Sequence, residues 1–376
     1  NGLSKPELAS PNDVAFSKLD FKKTSNPDLH YYIDKGSLFS YALKSKTSKK
    51  LYQQSSPISN LQMGAVPGIL YFRQNENLFQ FNTNEGSVIQ ITNFRKGKAE
   101  DKPADKESFL KSQQEELFQF IRDQEALKKW NLAKSKTIKS DFPKPYFYGK
   151  NNFGSLKVDP KGNFATFRLI EDSERKNEKM EVFITADGYN QIEDTKAKVS
   201  TDNLLASKFG VYDIAKDSVY FVNFSSLSHI QDVPKYFELY EKSKTTEKKD
   251  KLIVVQEPIY NENGSYAIAE IRSQDNKDRW IVSLNLKKGT FQELDHQHDE
   301  AWIGGPGIPS YSFGRGTLGF LGDNETVYFQ SEETGYSHLY TYNLKSKKKT
   351  QLTKGNWEVR NVNLSKDKKS FYLVIP

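Results

Sequence analysis

The chain has 376 residues, of which 36% are hydrophobic and 13% aromatic, enough apolar material for a large core and an aromatic share that suits stacked, pleated surfaces. Its 55 basic and 48 acidic residues leave a net charge of +7. The lysines gather in turns, as at Lys345 to Lys349 and Lys366 to Lys369, rather than in a basic stripe interleaved with aromatics, so no nucleic-acid partner is expected. With no cysteine, disulfides, thiolate metal sites and a Cys nucleophile are excluded. No apolar run reaches the roughly 18 residues of a membrane-spanning helix.

The chain opens Asn1-Gly2-Leu3-Ser4 without an initiator methionine. That start suggests a removed leader or a segment of a longer protein, and with it a periplasmic or secreted location. The first repeat runs from about Leu29 to Leu51, with strands expected around Leu29 to Ile33 and Leu38 to Leu43. A second, from Ile69 to Phe94, has its parts in the same order: an aromatic strand, a polar turn, an alternating strand, a Gly/Asn turn and another strand. Residues 95–150 break the pattern. Lys96 to Lys106 is charged, and Phe109, Leu110, Leu117, Phe120, Ile121 and Leu127 then follow helical spacing, which predicts an amphipathic helix over about 106–130 with its apolar stripe laid on a blade or another domain.

Strands resume at Leu156 to Leu169, joined by an Asp-Pro-x-Gly-Asn turn, and at Met180 to Ile184, followed by the turn signal Asp187-Gly188. A fourth repeat is expected over Val211 to Val255, a fifth over Pro258 to Leu294 and a sixth over Leu318 to Thr353. A seventh starts near Arg360, and the chain ends within it. An all-strand repeat of about 40–50 residues is the signature of a propeller blade. The expected fold is therefore an all-β propeller of four-stranded antiparallel blades, one domain over 1–376, with six complete repeats, part of a seventh, and the helical insertion.

The run Ser331-Glu-Glu-Thr-Gly-Tyr-Ser-His-Leu-Tyr-Thr-Tyr342, followed by Gln351-Leu-Thr-Lys-Gly-Asn-Trp-Glu-Val359, resembles the propeller of the dipeptidyl peptidase IV branch of the prolyl oligopeptidase serine peptidase family, in a bacterial form. The resemblance implies a ring of seven or eight blades and a C-terminal α/β-hydrolase domain beyond residue 376, carrying a Ser nucleophile in a G-x-S-x-G elbow with Asp and His. It implies peptide substrates, often cleaved after proline near the N-terminus, and leaves room for a homodimer. It implies no cofactor. In this segment Gly314 to Gly319 and Gly304 to Gly307 have no Ser between their glycines. The segment is therefore expected to gate access and position peptides, not to hydrolyse them. The alternative is a stand-alone propeller that binds a protein or glycan.

Among polar candidates, Glu115 and Glu116 come first, because paired acids bracket an ammonium group and the family anchors the substrate N-terminus on such a pair. His298, Asp299, Glu300 and Trp302 form the second candidate, a loop expected to face the central opening or an interface. His296 and His298 share one strand face, but no third ligand is evident and no metal is expected. Glu332 and Glu333 are expected to be exposed in a hairpin tip. His338 is expected to be packed and hydrogen-bonded, with Trp357 and Glu358 as packing residues.

Overall fold

Alternating strands bounded by polar turns fold here into successive antiparallel meanders. The computed structural model describes residues 16–98, 124–131, 142–172, 177–197, 205–235, 249–309 and 314–375. Blade 1 is β1 (Lys22–Lys23), β2 (Leu29–Asp34), β3 (Ser37–Ala42) and β4 (Thr47–Tyr52); blade 2 is β5 (Ile58–Met63), β6 (Ile69–Gln74), β7 (Asn77–Asn82) and β8 (Ser87–Gln90). Two short strands, β9 (Phe94–Arg95) and β10 (Tyr146–Phe147), pair in parallel and pinch the neck of the insertion between them. Within that insertion a helix, α1, covers 124–131.

Blade 3 is β11 (Asn152–Val158), β12 (Phe164–Ile170), β15 (Ser207–Asp213) and β16 (Ser218–Phe221). Between its second and third strands a separate hairpin is inserted, β13 (Asn177–Val182) with β14 (Gln191–Ala197). Blade 4 has a broken first strand, β17 (Ile253–Val255) and β18 (Ile259–Tyr260), then β19 (Ala267–Ser273), β20 (Asp278–Asn285) and β21 (Thr290–His298). Blade 5 is β22 (Leu318–Phe320), β23 (Thr326–Ser331), β24 (His338–Asn343) and β25 (Lys348–Gln351), and β26 (Asn361–Leu364) with β27 (Phe371–Val374) begins a sixth.

The propeller class stands, but the repeats divide differently. Among the described residues five blades are complete, because the expected third and fourth repeats merge into one. β12 pairs along its whole length with β15, Ile170 opposite Ser207, so the strand at 180–184 belongs to the inserted hairpin. Ile253 to Val255, expected to close a fourth repeat, opens blade 4 instead. An inserted hairpin and a blade hairpin show the same period of 2, and only pairing tells them apart. Of the helix expected over 106–130, with its apolar stripe, only 124–131 lies among the described residues, and Leu127 there is 52% exposed.

Blades 2, 3 and 4 are apolar on both faces, and each packs against the blade before and the blade after. In blade 4, Ala267, Ala269, Ile271, Trp280 and Val282 join Phe209 and Val211 of blade 3. The alternate residues Ile268 and Ile281 join Val327, Phe329 and Tyr340 of blade 5. Blades 1 and 2 share Leu38, Ile58, Leu70 and Phe72, and blades 2 and 3 share Tyr71, Leu78, Leu156 and Phe167. Burying each such side chain is worth about 1.5–3 kcal/mol, so the seams between blades are the core.

A repeated polar tie closes the outer strands. The Thr at the end of the fourth strand accepts the N–H at the start of the third, Thr92 from Leu78 and Thr353 from Leu339, each at 2.9 Å. This explains the recurring Gln-Ile-Thr and Gln-Leu-Thr wording. The meander also sorts the loops. Turns between strands 1 and 2 and between 3 and 4 lie at one end of a blade; turns between 2 and 3, and the links to the next blade, lie at the other. The first end carries short polar turns such as 159–163 and 344–347; the long connections, 96–145, 171–206, 222–252 and 299–317, leave from the second.

Candidate functional site

The long-loop end of blade 4 holds two buried polar clusters, one on each face of the sheet. Their placement follows from alternation. Asp278 shares the face of Trp280 and Val282, toward blade 3, whereas Glu270, Arg272 and Arg279 share the face of Ile268 and Ile281, toward blade 5. Across the β20–β21 pair, His298 stands opposite Asp278 and His296 opposite Trp280.

Asp278 is fully buried and gathers three donors. His296 Nε2 lies 2.9 Å and His298 Nδ1 2.8 Å from its Oδ1, and the Lys251 ammonium donates to its Oδ2. Burial alone would push this carboxyl up, but the hydrogen bonds from His296, Lys251 and His298, with the charge of Lys251, hold it down at about 2. The ring of His296 is stacked between His229 at 4.8 Å and Trp280 at 5.3 Å, and Trp280 Nε1 donates to the Ser228 carbonyl at 2.9 Å. His229 and Lys251 both belong to the link 222–252, so this cluster ties that link to blade 4.

On the other face, Arg279 donates to Glu270 Oε2 at 3.0 Å, to Gln297 Oε1 at 3.1 Å and to the Gln330 carbonyl at 2.8 Å. Arg272 donates to the carbonyls of Ile303 and Pro309, each at 2.9 Å, and Gly316 N–H donates to Glu270 Oε2 at 2.9 Å. All three charged side chains are fully buried. They clamp both ends of the link 299–317 onto the blade. At Gly316 a Cβ would lie 2.6 Å from the Gly307 carbonyl and 2.8 Å from Arg279 Nη2, so that strand of the link approaches as bare backbone.

The second candidate loop lies on this link. His298 closes β21, the outermost strand of blade 4, so it stands at the periphery of the ring and not at the central opening. Its Nε2 faces Glu300 Oε1 at 3.2 Å. Asp299 Oδ1 accepts the N–H groups of Ala301 and Trp302 at 2.7 and 2.8 Å, which sets the turn, and Trp302 is left 50% exposed on the long-loop rim. Glu115 and Glu116, the first candidates, lie outside the described residues.

Glu332 is not the exposed tip acid expected. It is half-buried against Gly305, and burial, then the nearby charges of Glu358 and Asp299, raise its carboxyl above the usual range. Glu333 beside it pairs with Lys349. His338 is packed as expected: Nε2 donates to the Gly355 carbonyl at 3.0 Å, Thr353 Oγ1 lies 3.1 Å from Nδ1, and the ring meets Trp357 edge-on at 5.2 Å.

Sequence reasoning passed over Glu270, Arg272, Asp278 and Arg279. A signal existed: Ala267-Ile-Ala-Glu-Ile-Arg-Ser273 interleaves charges with apolar residues on a strand whose two faces are both buried. In such a strand a charge must be paired, since it has no solvent face to turn toward.

The fold is similar to that of a candidate dipeptidyl aminopeptidase IV from Bacteroides ovatus, with TM-score 0.50 and 13% identity over 92% of this chain and 40% of that one. It is similar also to Porphyromonas gingivalis dipeptidyl peptidase 4, with TM-score 0.51 and 11% identity over 93% of this chain and 39% of that one. At such identity the likeness concerns the fold alone, and the chain spans about 40% of the length of these structures. No curated protein matches the chain. Residues 160–373, more than half of the chain, match the family described as the dipeptidyl peptidase IV (DPP IV) N-terminal region. The chain belongs to that family.

Proposed function

We propose that the chain is the non-catalytic propeller of a serine exopeptidase of dipeptidyl or tripeptidyl type, working with an α/β-hydrolase domain beyond residue 376. In this role it restricts access to extended peptides and helps fix their N-termini, so that binding energy remote from the scissile bond positions the reacting groups. The observation that carries the reading is the asymmetry of the ring. The opposite end is trimmed to short turns, while the long connections leave from one rim, where two of the links are fastened by buried ion pairs. A rim from which the long connections leave is what a second domain and a threaded peptide require.

In this proposal Trp302 and Glu332 face the substrate path or the hydrolase, and Glu115 and Glu116 anchor the peptide ammonium. The test uses the intact protein and proline-containing peptides with free or acetylated N-termini. Glu115→Gln with Glu116→Gln should raise KM for the free-amine peptide by about tenfold or more, the worth of one lost charge-assisted contact. Unchanged kinetics would remove those residues from the reading, and absence of any peptidase activity would remove the reading itself. The periplasmic or secreted location is part of the same proposal, and cell fractionation with an antibody to the chain tests it.

A further inference from the structure

The seam between blades 3 and 4 carries another polar group at its axial edge. Lys157 on β11 stands opposite Thr166 on β12. Leu156, Val158, Ala165, Phe167 and Leu169 pack toward blade 2, so Lys157, Thr166 and Arg168 share the face toward blade 4. Arg168 Nη1 donates to the Val255 carbonyl on β17 at 3.2 Å. Val255 packs into the seam core, and Glu257 follows two residues later, in the break between β17 and β18. Tyr260 packs against the same core.

This group is rich in donors and poor in acceptors. Arg168 Nε and the Tyr260 hydroxyl are buried and meet no hydrogen-bond partner among the described residues. Thr166, beside them, already donates its hydroxyl to the Lys157 carbonyl at 3.2 Å. Lys157 forms no ion pair among the described residues. Burial disfavours its charge, Glu257 favours it, and Arg315 before β22 and Lys22 on β1 disfavour it further. Residues on or beside the first strands of blades 3, 4 and 5 thus bring Lys157, Arg168 and Arg315 about Glu257; Lys22 on β1 is paired with Asp20 at 2.6 Å, and Asp159 acts with Glu257 on Tyr260.

A buried donor without a partner costs about 1–3 kcal/mol, and partly buried like charges repel. One ligand with several acceptor oxygens relieves both. We propose that the axial seam of blades 3 and 4, lined by Lys157, Arg168 and Tyr260, binds a small oxyanion, a carboxylate or a phosphate. Tyr260 also lines a cleft of about 610 Å3 between the two blades at the short-turn end, beside Asp159, Lys161, Asn163 and Lys287. Glu257 competes with the ligand for the same cations.

The experiment is calorimetric titration of the full chain at low ionic strength, with inorganic phosphate in one arm and succinate in the other. Saturable one-site binding is expected in at least one arm, and the arm identifies the oxyanion. Lys157→Met should weaken it by about tenfold, and Glu257→Gln should tighten it by about threefold or more, because a competing charge is removed. Lys347→Met, in an exposed turn, should leave it unchanged. Binding that saturates in neither arm overturns the proposal. So does an equal loss with Lys347→Met, the mark of diffuse surface charge, or weaker binding with Glu257→Gln. Should Lys157→Met fail to fold, the direction of the Glu257→Gln effect decides.

Discussion

At Gly355 the backbone has φ +137°, and a Cβ would stand 2.1 Å from Trp357 Nε1. The Gly-x-Trp wording is therefore one packed unit: the indole lies over bare backbone, while His338 holds the Gly355 carbonyl. Gly355→Ala should cost about 2–4 kcal/mol by combining backbone strain with overpacking, read as a fall in the urea midpoint without a change in slope. Asp278 gives a different prediction. Its folded-state carboxyl titrates at about 2, below its ordinary value of 3.8. It therefore contributes stability that is fully present above about pH 4 and is lost as the pH falls toward 2. The contribution is roughly 2 kcal/mol. Urea unfolding at pH 6, 4 and 3 should show that loss in the wild type and a flatter profile in Asp278→Asn, whose stability is already reduced at pH 6.

At the level of elements, the link 299–317 depends on ion pairs that have no access to water. Arg279→Met leaves Glu270 buried with its nearest charge partner gone and should destabilise by about 3–5 kcal/mol. Adding Glu270→Leu should recover part of that loss, because the stranded carboxylate is removed as well. A thermal-melting cycle over the two single variants and the double variant measures the coupling. The hairpin β13–β14 behaves in the opposite way. Glu171 N–H already bonds the Ala206 carbonyl at 2.9 Å, and Ile170 pairs with Ser207 directly. Replacing 173–204 by a short Gly/Ser turn should thus leave blade 3 closed and Tm within about 3 °C. A larger drop would mean that the hairpin braces the ring. Met180, Phe183, Ile184, Tyr189 and Ile192 are 52% to 94% exposed on it, so their removal takes little from the core.

Over the whole molecule, successive seams share the core so evenly that no blade has an interior of its own, and the loops are sorted to one rim by the meander. The proposed gating role predicts that the rim, not the short-turn end, carries sensitivity. In the intact protein Trp302→Ala should change peptide KM by several-fold, whereas Lys347→Ala in a short turn should leave both kcat and KM unchanged. Equal effects at the two positions would count against gating at the rim.

The sequence by itself determined the propeller, because a period of 2 broken at regular intervals by polar turns admits few other arrangements, and because Gly355, Trp357, His338 and Thr353 are local contacts whose spacing is their geometry. It also determined that His338 would be packed, since its neighbours in the strand bury that face. Tertiary structure alone decided which strands share a sheet. β12 could pair with 180–184 or with 207–213 on pattern alone, and only closure of blade 3 selects the second. It alone decided that His298 lies on the outermost strand and that Glu332 is half-buried. It alone brought Asp278 to Lys251, and Lys157 to Glu257. Those pairs are far apart along the chain or meet across seams, and their energies depend on burial and on what the facing blade presents, neither of which is written in local periodicity.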